Sequence, residues 1–297
     1  MTSAVDLSHQ KRKISGKTIK TGFGYIESLD QTIDFDIIRD LIMKGDHEGN
    51  VIYIIRNYIP GKWTQILTDN FNKVIEQRGS HRVNDGFVSV QQIGSSQFAK
   101  NGSQYVRENH QSFDDIDRLF NNIPTDVVDE LFLEKVFERE LLSQKIHFGP
   151  SRYKHGFACM ATFRRWLDNG VMSLLPHEDK AQLACAAKDQ YEIHHALNVI
   201  AQNLCLESTG DGGELVIWNI QPDDKCRRIF DVLETGYPYA PESIKHIESF
   251  EVKLNPGDIY FMNACCLHGV KNVKNGNRLT AGRFIGHIPN NKVVYWT

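Results

Sequence analysis

No long apolar run occurs in this sequence. Nothing in it approaches the roughly 18 apolar residues needed to span a bilayer. The N-terminus, MTSAVDLSHQKRKISGK, carries no apolar core segment, so no secretory signal is read there. An excess of one charge sign is also missing. Lys and Arg number 34 against 37 Asp and Glu, a formal net charge of -3, and no long basic run follows residue 20. The electrostatic footprint of a nucleic-acid binder is therefore not visible, and the KRK of residues 11–13 reads as a solvated tail. Cysteine is scarce. Six residues are present, none in a C-x-x-C pair, and adjacent Cys265 and Cys266 fit no common zinc spacing. Reduced thiols in a cytoplasmic protein are expected. There is no internal repeat and no low-complexity stretch. What remains is a small-molecule partner, with neither nucleic acid nor membrane.

The composition is that of a soluble globule, 41% hydrophobic and 24% charged, and 297 residues can bury a sizeable core. Val51–Ile59 is apolar and β-branched and ends at Pro60-Gly61, which predicts a buried strand. Trp63–Gln77 has apolar residues at helical spacing. Residues 80–110 are rich in Gly, Ser, Asn and Gln, and read as a strand at Gly86–Ile93 followed by a long loop. Ser112–Ser143 reads as two helices broken at Pro124.

From about residue 152 the texture changes. Phe157–Trp166, Val171–Pro176, Ala196–Leu206, Gly213–Ile220, Ser249–Leu254, Asp258–Cys266 and Arg278–Ile288 read as strands, most of them separated by turn residues. The expected fold class is α+β, mainly β: a double-stranded jelly roll with N-terminal helices packed on one sheet. Residues 1–20 are expected to be a flexible tail. Residues 21–297 are expected to form one domain, helix-rich to about 150, with the roll over about 151–290.

The chemistry concentrates in three places. His177-Glu178-Asp179 follows the apolar run VMSLLP, and residues i and i+2 on a strand share a face. His268 is placed at the end of the strand DIYFMNACCLH. Two histidines and a carboxylate on one face of an octahedral iron leave three positions open. H-x-D alone is weak, since with twelve histidines about one H-x-[DE] match is expected by chance. The rival His246-x-Glu248 lies too close to His268 in sequence to return alongside it. Ten residues after His268 stand Arg278 and Thr280, which share a strand face. A guanidinium with a hydroxyl beside it suits a carboxylate. Arg283 has the opposite parity and is expected to be a surface ion-pair residue. Glu178 is expected to point away from the metal, toward solvent or a loop.

At these residues the chain resembles the iron(II)/2-oxoglutarate-dependent oxygenase superfamily, over about residues 153–288. The resemblance implies that His177, Asp179 and His268 bind iron and that Arg278 and Thr280 hold the distal carboxylate of 2-oxoglutarate. Thr280 replaces the commoner serine and keeps the hydroxyl. It implies oxidative decarboxylation of the keto acid with dioxygen, coupled to hydroxylation of an aliphatic C–H. Within the superfamily the chain looks most like bacterial hydroxylases of free or N-substituted amino acids. It is also similar to small-molecule halogenases, on length and the runs G-G-E-L-V-I-W and R-F-I-G-H. In those halogenases a glycine stands at the position of Asp179, so hydroxylation is expected here. The same fold serves macromolecular demethylases and non-catalytic metal-binding rolls. Near-neutral charge counts against the first, and the Arg278-x-Thr280 pair against the second. Arg82, Gln91 and Arg165 are candidates for a substrate carboxylate. The segments Ser80–Arg107 and 178–195 are placed to cover the mouth.

Overall fold

The computed structural model describes residues 13–82, 88, 90–168 and 170–297. In chain order the strands are β1 (Gly24–Ser28), β2 (Asn50–Ile55), β3 (Val90–Ile93), β4 (His147–Pro150), β5 (Thr162–Trp166), β6 (Met172–His177), β7 (Ile200–Ser208), β8 (Leu215–Trp218), β9 (Ser249–Val252), β10 (Ile259–Asn263), β11 (His268–Lys271), β12 (Arg278–Ile288) and β13 (Lys292–Trp296). The helices are α1 (Phe35–Lys44), α2 (Gly61–Arg78), α3 (Gly102–Leu119), α4 (Thr125–Leu131), α5 (Glu134–Ser143), α6 (Leu183–Ala187), α7 (Asp224–Ile229) and α8 (Pro241–Ile244).

Two sheets carry the architecture. The larger has the order β1-β2-β10-β7-β12-β13-β4, with β5 and β3 continuing from the first half of β12. The smaller has the order β9-β8-β11-β6. Most pairings are antiparallel; β1 with β2 and β4 with β13 are parallel. The element content is mixed α and β, as expected.

Strand alternation sorts the larger sheet into two faces. Leu279, Ala281 and Ile285 of β12, Ile259 and Phe261 of β10, and Ile200 and Leu204 of β7 join one apolar cluster with Leu41, Phe71 and Phe137 of α1, α2 and α5. The other face of the same strands presents Tyr260, Met262, Ala201 and Cys205, which cluster with Leu215, Ile217 and Val270 of the smaller sheet. Each fully buried large side chain contributes about 1.5–3 kcal/mol, so these two clusters hold the helices and the smaller sheet on opposite faces. The local signals are ordinary. Asp34 caps α1 by accepting from the backbone N–H of Asp36 and Ile37, and Gly45 ends it in the left-handed region at φ 89°.

Several sequence expectations shift. Of the strand expected at Gly86–Ile93, Val90–Ile93 forms, and residues 86, 87 and 89 lie outside the described residues. The polar stretch expected to be loop is half helix, because α3 starts at Gly102 behind an Asn101 cap. Its buried stripe includes Asn109, Ser112 and Asp115, so hydrophobic periodicity could not reveal it. Residues 125–143 form two helices, interrupted where Leu133 takes φ 56°. Residues 1–12 of the expected tail lie outside the described residues, and Gly16–Lys17 pairs with Gln221–Pro222. Cys265 and Cys266 are both buried, and no helix among the described residues is long and apolar enough to cross a membrane.

Candidate metal and cosubstrate site

The site lies between the sheets. His177 ends β6 and His268 opens β11, and the two are direct partners across that antiparallel pair. The expectation that His268 ends the preceding strand is corrected: β10 stops at Asn263, and a buried turn of residues 264–267 separates it from β11. Asp179 does not lie on a strand either. It stands at the mouth of the short 3-10 turn Lys180–Gln182, with φ -99° and ψ -8°. Turn geometry rather than strand parity therefore aims it. Its backbone N–H donates to Ala264 O at 2.8 Å, fastening this loop to the turn that precedes His268.

His177, Asp179 and His268 are all buried, and each offers a ligand atom within 4.8 Å of the others. His268 Nε2 lies 3.3 Å from Asp179 Oδ2, and His177 Nε2 lies 4.0 Å from Oδ1. The donor state is fixed from behind. His177 Nδ1 donates to Leu175 O at 3.0 Å, and His268 Nδ1 donates to Cys266 O at 2.9 Å. A carbonyl only accepts, so both rings carry their proton on Nδ1 and turn the Nε2 lone pair inward. Burial, with the neighbouring imidazole, lowers the His177 pKa to about 3, so that ring is neutral. Burial pushes the Asp179 carboxyl upward. The positive Arg164 guanidinium and the polar groups facing it outweigh that and leave the carboxyl below its usual range. Two neutral nitrogens and one carboxylate oxygen fit a divalent transition metal.

Glu178 points away from this cluster, as expected, but toward protein. It is fully buried and takes Arg227 Nε at 2.8 Å and Nη2 at 3.2 Å, with the Ala181 N–H at 3.2 Å. Gly236 lies against its backbone, where a Cβ would come within 2.1 Å of Glu178 O. This buried ion pair ties the Asp179 loop to α7.

Arg278 and Thr280 face the same interior from β12. Trp166 Nε1 donates to Thr280 Oγ1 at 3.1 Å, so the threonine proton is left to donate elsewhere. The Arg278 guanidinium lies 5.5 Å from the Trp166 ring, and Tyr260 lines the same cavity. Arg278 Nη2 is buried and has no hydrogen-bond partner among the described residues. A buried, unsatisfied guanidinium nitrogen is costly unless a ligand completes it. A carboxylate does that, which fits the distal end of a keto diacid. Gly282, the next inward residue, leaves room for Asn203: a Cβ there would sit 1.9 Å from Asn203 Oδ1.

An outer chamber opens beside His177 and Asp179, lined among others by Arg82, Phe98, Arg164, Leu174, Tyr237 and Phe284. Arg82 is placed where the sequence suggested. Arg165 is not: it faces the helices, bonded to Asn72 at 2.6 Å and Glu207 at 3.4 Å, and its partner across the sheet, Gln91, stands at the matching register. The inward residue is Arg164, missed because T-F-R-R-W is apolar on both faces. Arg164 Nε donates to Gln92 Oε1 at 3.0 Å, and no carboxylate pairs with it among the described residues. Burial and the neighbouring Arg82 lower its pKa to about 10, which still leaves it charged at neutral pH. Tyr260, Trp166, Gln182 and Asn203 were also missed. Only Trp166, two residues from Arg164 in strand parity, left a readable signal.

The comparisons with known proteins agree with this geometry. Residues 37–297 match the family model of the carrier-protein-independent halogenase WelO5. The chain belongs to that family. It is 48% identical over 297 residues, all of both chains, to the L-isoleucine 3(1)-dioxygenase of Pantoea ananatis. Its fold is shared with an N-substituted L-amino acid dioxygenase of Burkholderia ambifaria, at a TM-score of 0.53 and 15% identity, covering 88% of this chain and 90% of that one. The protein is a 2-oxoglutarate-dependent oxygenase that uses iron(II), 2-oxoglutarate and dioxygen.

Proposed function

We infer that the protein hydroxylates an unactivated C–H of an amino acid with an apolar side chain, and that the iron is held by His177, Asp179 and His268. The observation that carries this reading is the pairing of a buried three-ligand cluster with two inward arginines that lack a carboxylate partner among the described residues. Arg278, with Thr280 and Tyr260, takes the distal carboxylate of 2-oxoglutarate. Arg164, with Arg82 near it, takes the substrate carboxylate, and Leu174, Phe98 and Phe284 form an apolar wall for the side chain. When bound, iron and keto acid supply the oxidising power. The chain's own part is to hold the two carboxylates apart, exclude water and set the aliphatic carbon beside the metal.

Asp179 decides between the two activities named among the relatives. Six positions surround an octahedral metal. His177, Asp179 and His268 would hold three of them, and the keto acid and dioxygen would need the rest, so none would be left for a halide. The paired sheets with helices on one face support a double-stranded β-helix over about residues 151–290, within one oxygenase unit of residues 21–297. Six free cysteines support a reducing, cytoplasmic setting.

The test is an anaerobic titration with iron(II) and 2-oxoglutarate, read by the weak visible charge-transfer band. A panel of amino acids and N-acyl amino acids follows, scored for succinate and for a one-oxygen mass gain. Absence of the band, or a dominant halogenated product in high chloride, overturns the reading.

A further inference from the structure

We propose that Gln182 Oε1 is the acceptor for the substrate's α-ammonium group, which makes a free α-amino acid the preferred ligand of the outer chamber. This rests on the amino-acid reading above and adds to it the recognition of the amino group.

An amino acid with an apolar side chain makes three demands on a site: a cation for its carboxylate, a hydrocarbon wall, and acceptors for its N–H groups. The first two are present. The third is not met by the acids nearby. Asp179 is the one carboxylate among the described residues lining the chamber, and its oxygens face the two imidazoles and Gln182. Glu178 is turned away and held by Arg227. Glu108, farther out, is taken by Lys100 and Ser95.

Gln182 also lines the chamber, and its amide orientation is forced. Its Nε2 donates to Asp179 Oδ1 at 2.5 Å. An ionised carboxylate only accepts, so the amide nitrogen must face it, and the opposite orientation would set oxygen against oxygen. Oε1 is therefore the end left over, and no described residue donates to it. The turn is held from the other side by Gln97 Nε2, which donates to Gln182 O at 3.2 Å. The acceptor is thus fixed on a turn that also carries a metal ligand. It stands in a largely buried setting where a charge-assisted hydrogen bond counts for more than in water.

The experiment measures anaerobic perturbation of the visible iron(II)·2-oxoglutarate band by L-isoleucine and by 3-methylpentanoate, which keeps the carboxylate and hydrocarbon but lacks the amino group. In the unmutated protein, losing the ammonium should weaken apparent affinity by roughly tenfold to a hundredfold. In Gln182→Leu the two ligands should bind within about threefold of each other, because isoleucine loses the bond that the analogue never made. Gln182→Met, closer in shape, gives the same comparison where leucine disturbs folding. Any loosening of Asp179 in these variants affects both ligands alike and cancels in the ratio, and iron retention is read from the same samples. An amino-group penalty unchanged in the variants, or equal binding of the two ligands to the unmutated protein, overturns the proposal while leaving the hydroxylase reading intact. If no amino acid perturbs the band at all, the amino-acid reading itself fails.

Discussion

The two faces of the larger sheet hold the same residue type in opposite states. On the face toward the helices, Arg283 is fully buried and saturated: Nε donates to Gln202 Oε1 at 2.7 Å, Nη2 to Phe132 O at 2.8 Å, and Nη1 pairs with Glu134. Arg165 on that face meets Asn72 and the Glu207 carboxylate, although its Nε has no partner among the described residues. On the face toward the smaller sheet, Arg278 keeps a bare nitrogen and Arg164 meets one neutral amide. Burying a cation without a carboxylate is unfavourable for folding alone. The helix-facing arginines are therefore part of the fold, and the inward ones are set up for ligands. Arg283 was expected at the surface. It is buried because α5 brings Glu134 over the sheet, a contact that strand parity cannot foresee.

Breaking the metal end should have the largest effect. His177→Ala or His268→Ala should abolish iron retention and turnover while circular dichroism shows the fold intact, since no core contact depends on either Nε2. Full activity in either variant would remove the metal assignment on which the meaning of the inward face depends.

Next comes Arg278→Ala. Losing a charge-assisted bond to a desolvated carboxylate costs about 2–5 kcal/mol, so half-saturation by 2-oxoglutarate should rise roughly thirtyfold or more. Arg283→Ala should leave that value nearly unchanged and instead lower the unfolding midpoint, because it strands Glu134 and Gln202. Were the two variants to exchange phenotypes, the faces would be assigned the wrong way round.

How much of this was legible follows from the same contrast. The convergence of His177, Asp179 and His268 was legible from their spacing, and strand alternation gave the shared face of Arg278 and Thr280. The strand limits of Arg278–Ile288 were also right, as the run is long and ends in turn residues. What failed was information carried by neighbours distant in sequence. Asp179 is aimed by a turn and by Ala264, Arg164 was mistaken for Arg165 by one residue, and α3 hid behind a polar buried stripe. A one-residue slip in register exchanges the faces of a strand, so apolar flanks on both sides leave parity undetermined.

The smallest effect should come from the residue that slip singled out. Arg165→Ala removes one hydrogen bond to Asn72, a long ion pair to Glu207 and a stacking contact 5.1 Å from the Phe71 ring. These are partly exposed interactions on the helix side, together worth about 1–2 kcal/mol of stability. None of them reaches the chamber, so the KM for the amino-acid substrate should stay within about twofold of the unmutated value. Arg164→Ala, one residue away, should raise that KM roughly tenfold or more, because a buried guanidinium facing the chamber can be matched there only by the incoming carboxylate. The adjacent pair is a sharp test because chain position and residue type are nearly constant between the two, and the face differs. Steady-state kinetics on both variants, with thermal unfolding alongside, read the two consequences separately. A KM rise at Arg165 equal to that at Arg164 would mean that the chamber draws on general positive charge rather than on one directed side chain, and the division between arginines with and without a carboxylate partner would lose its functional meaning.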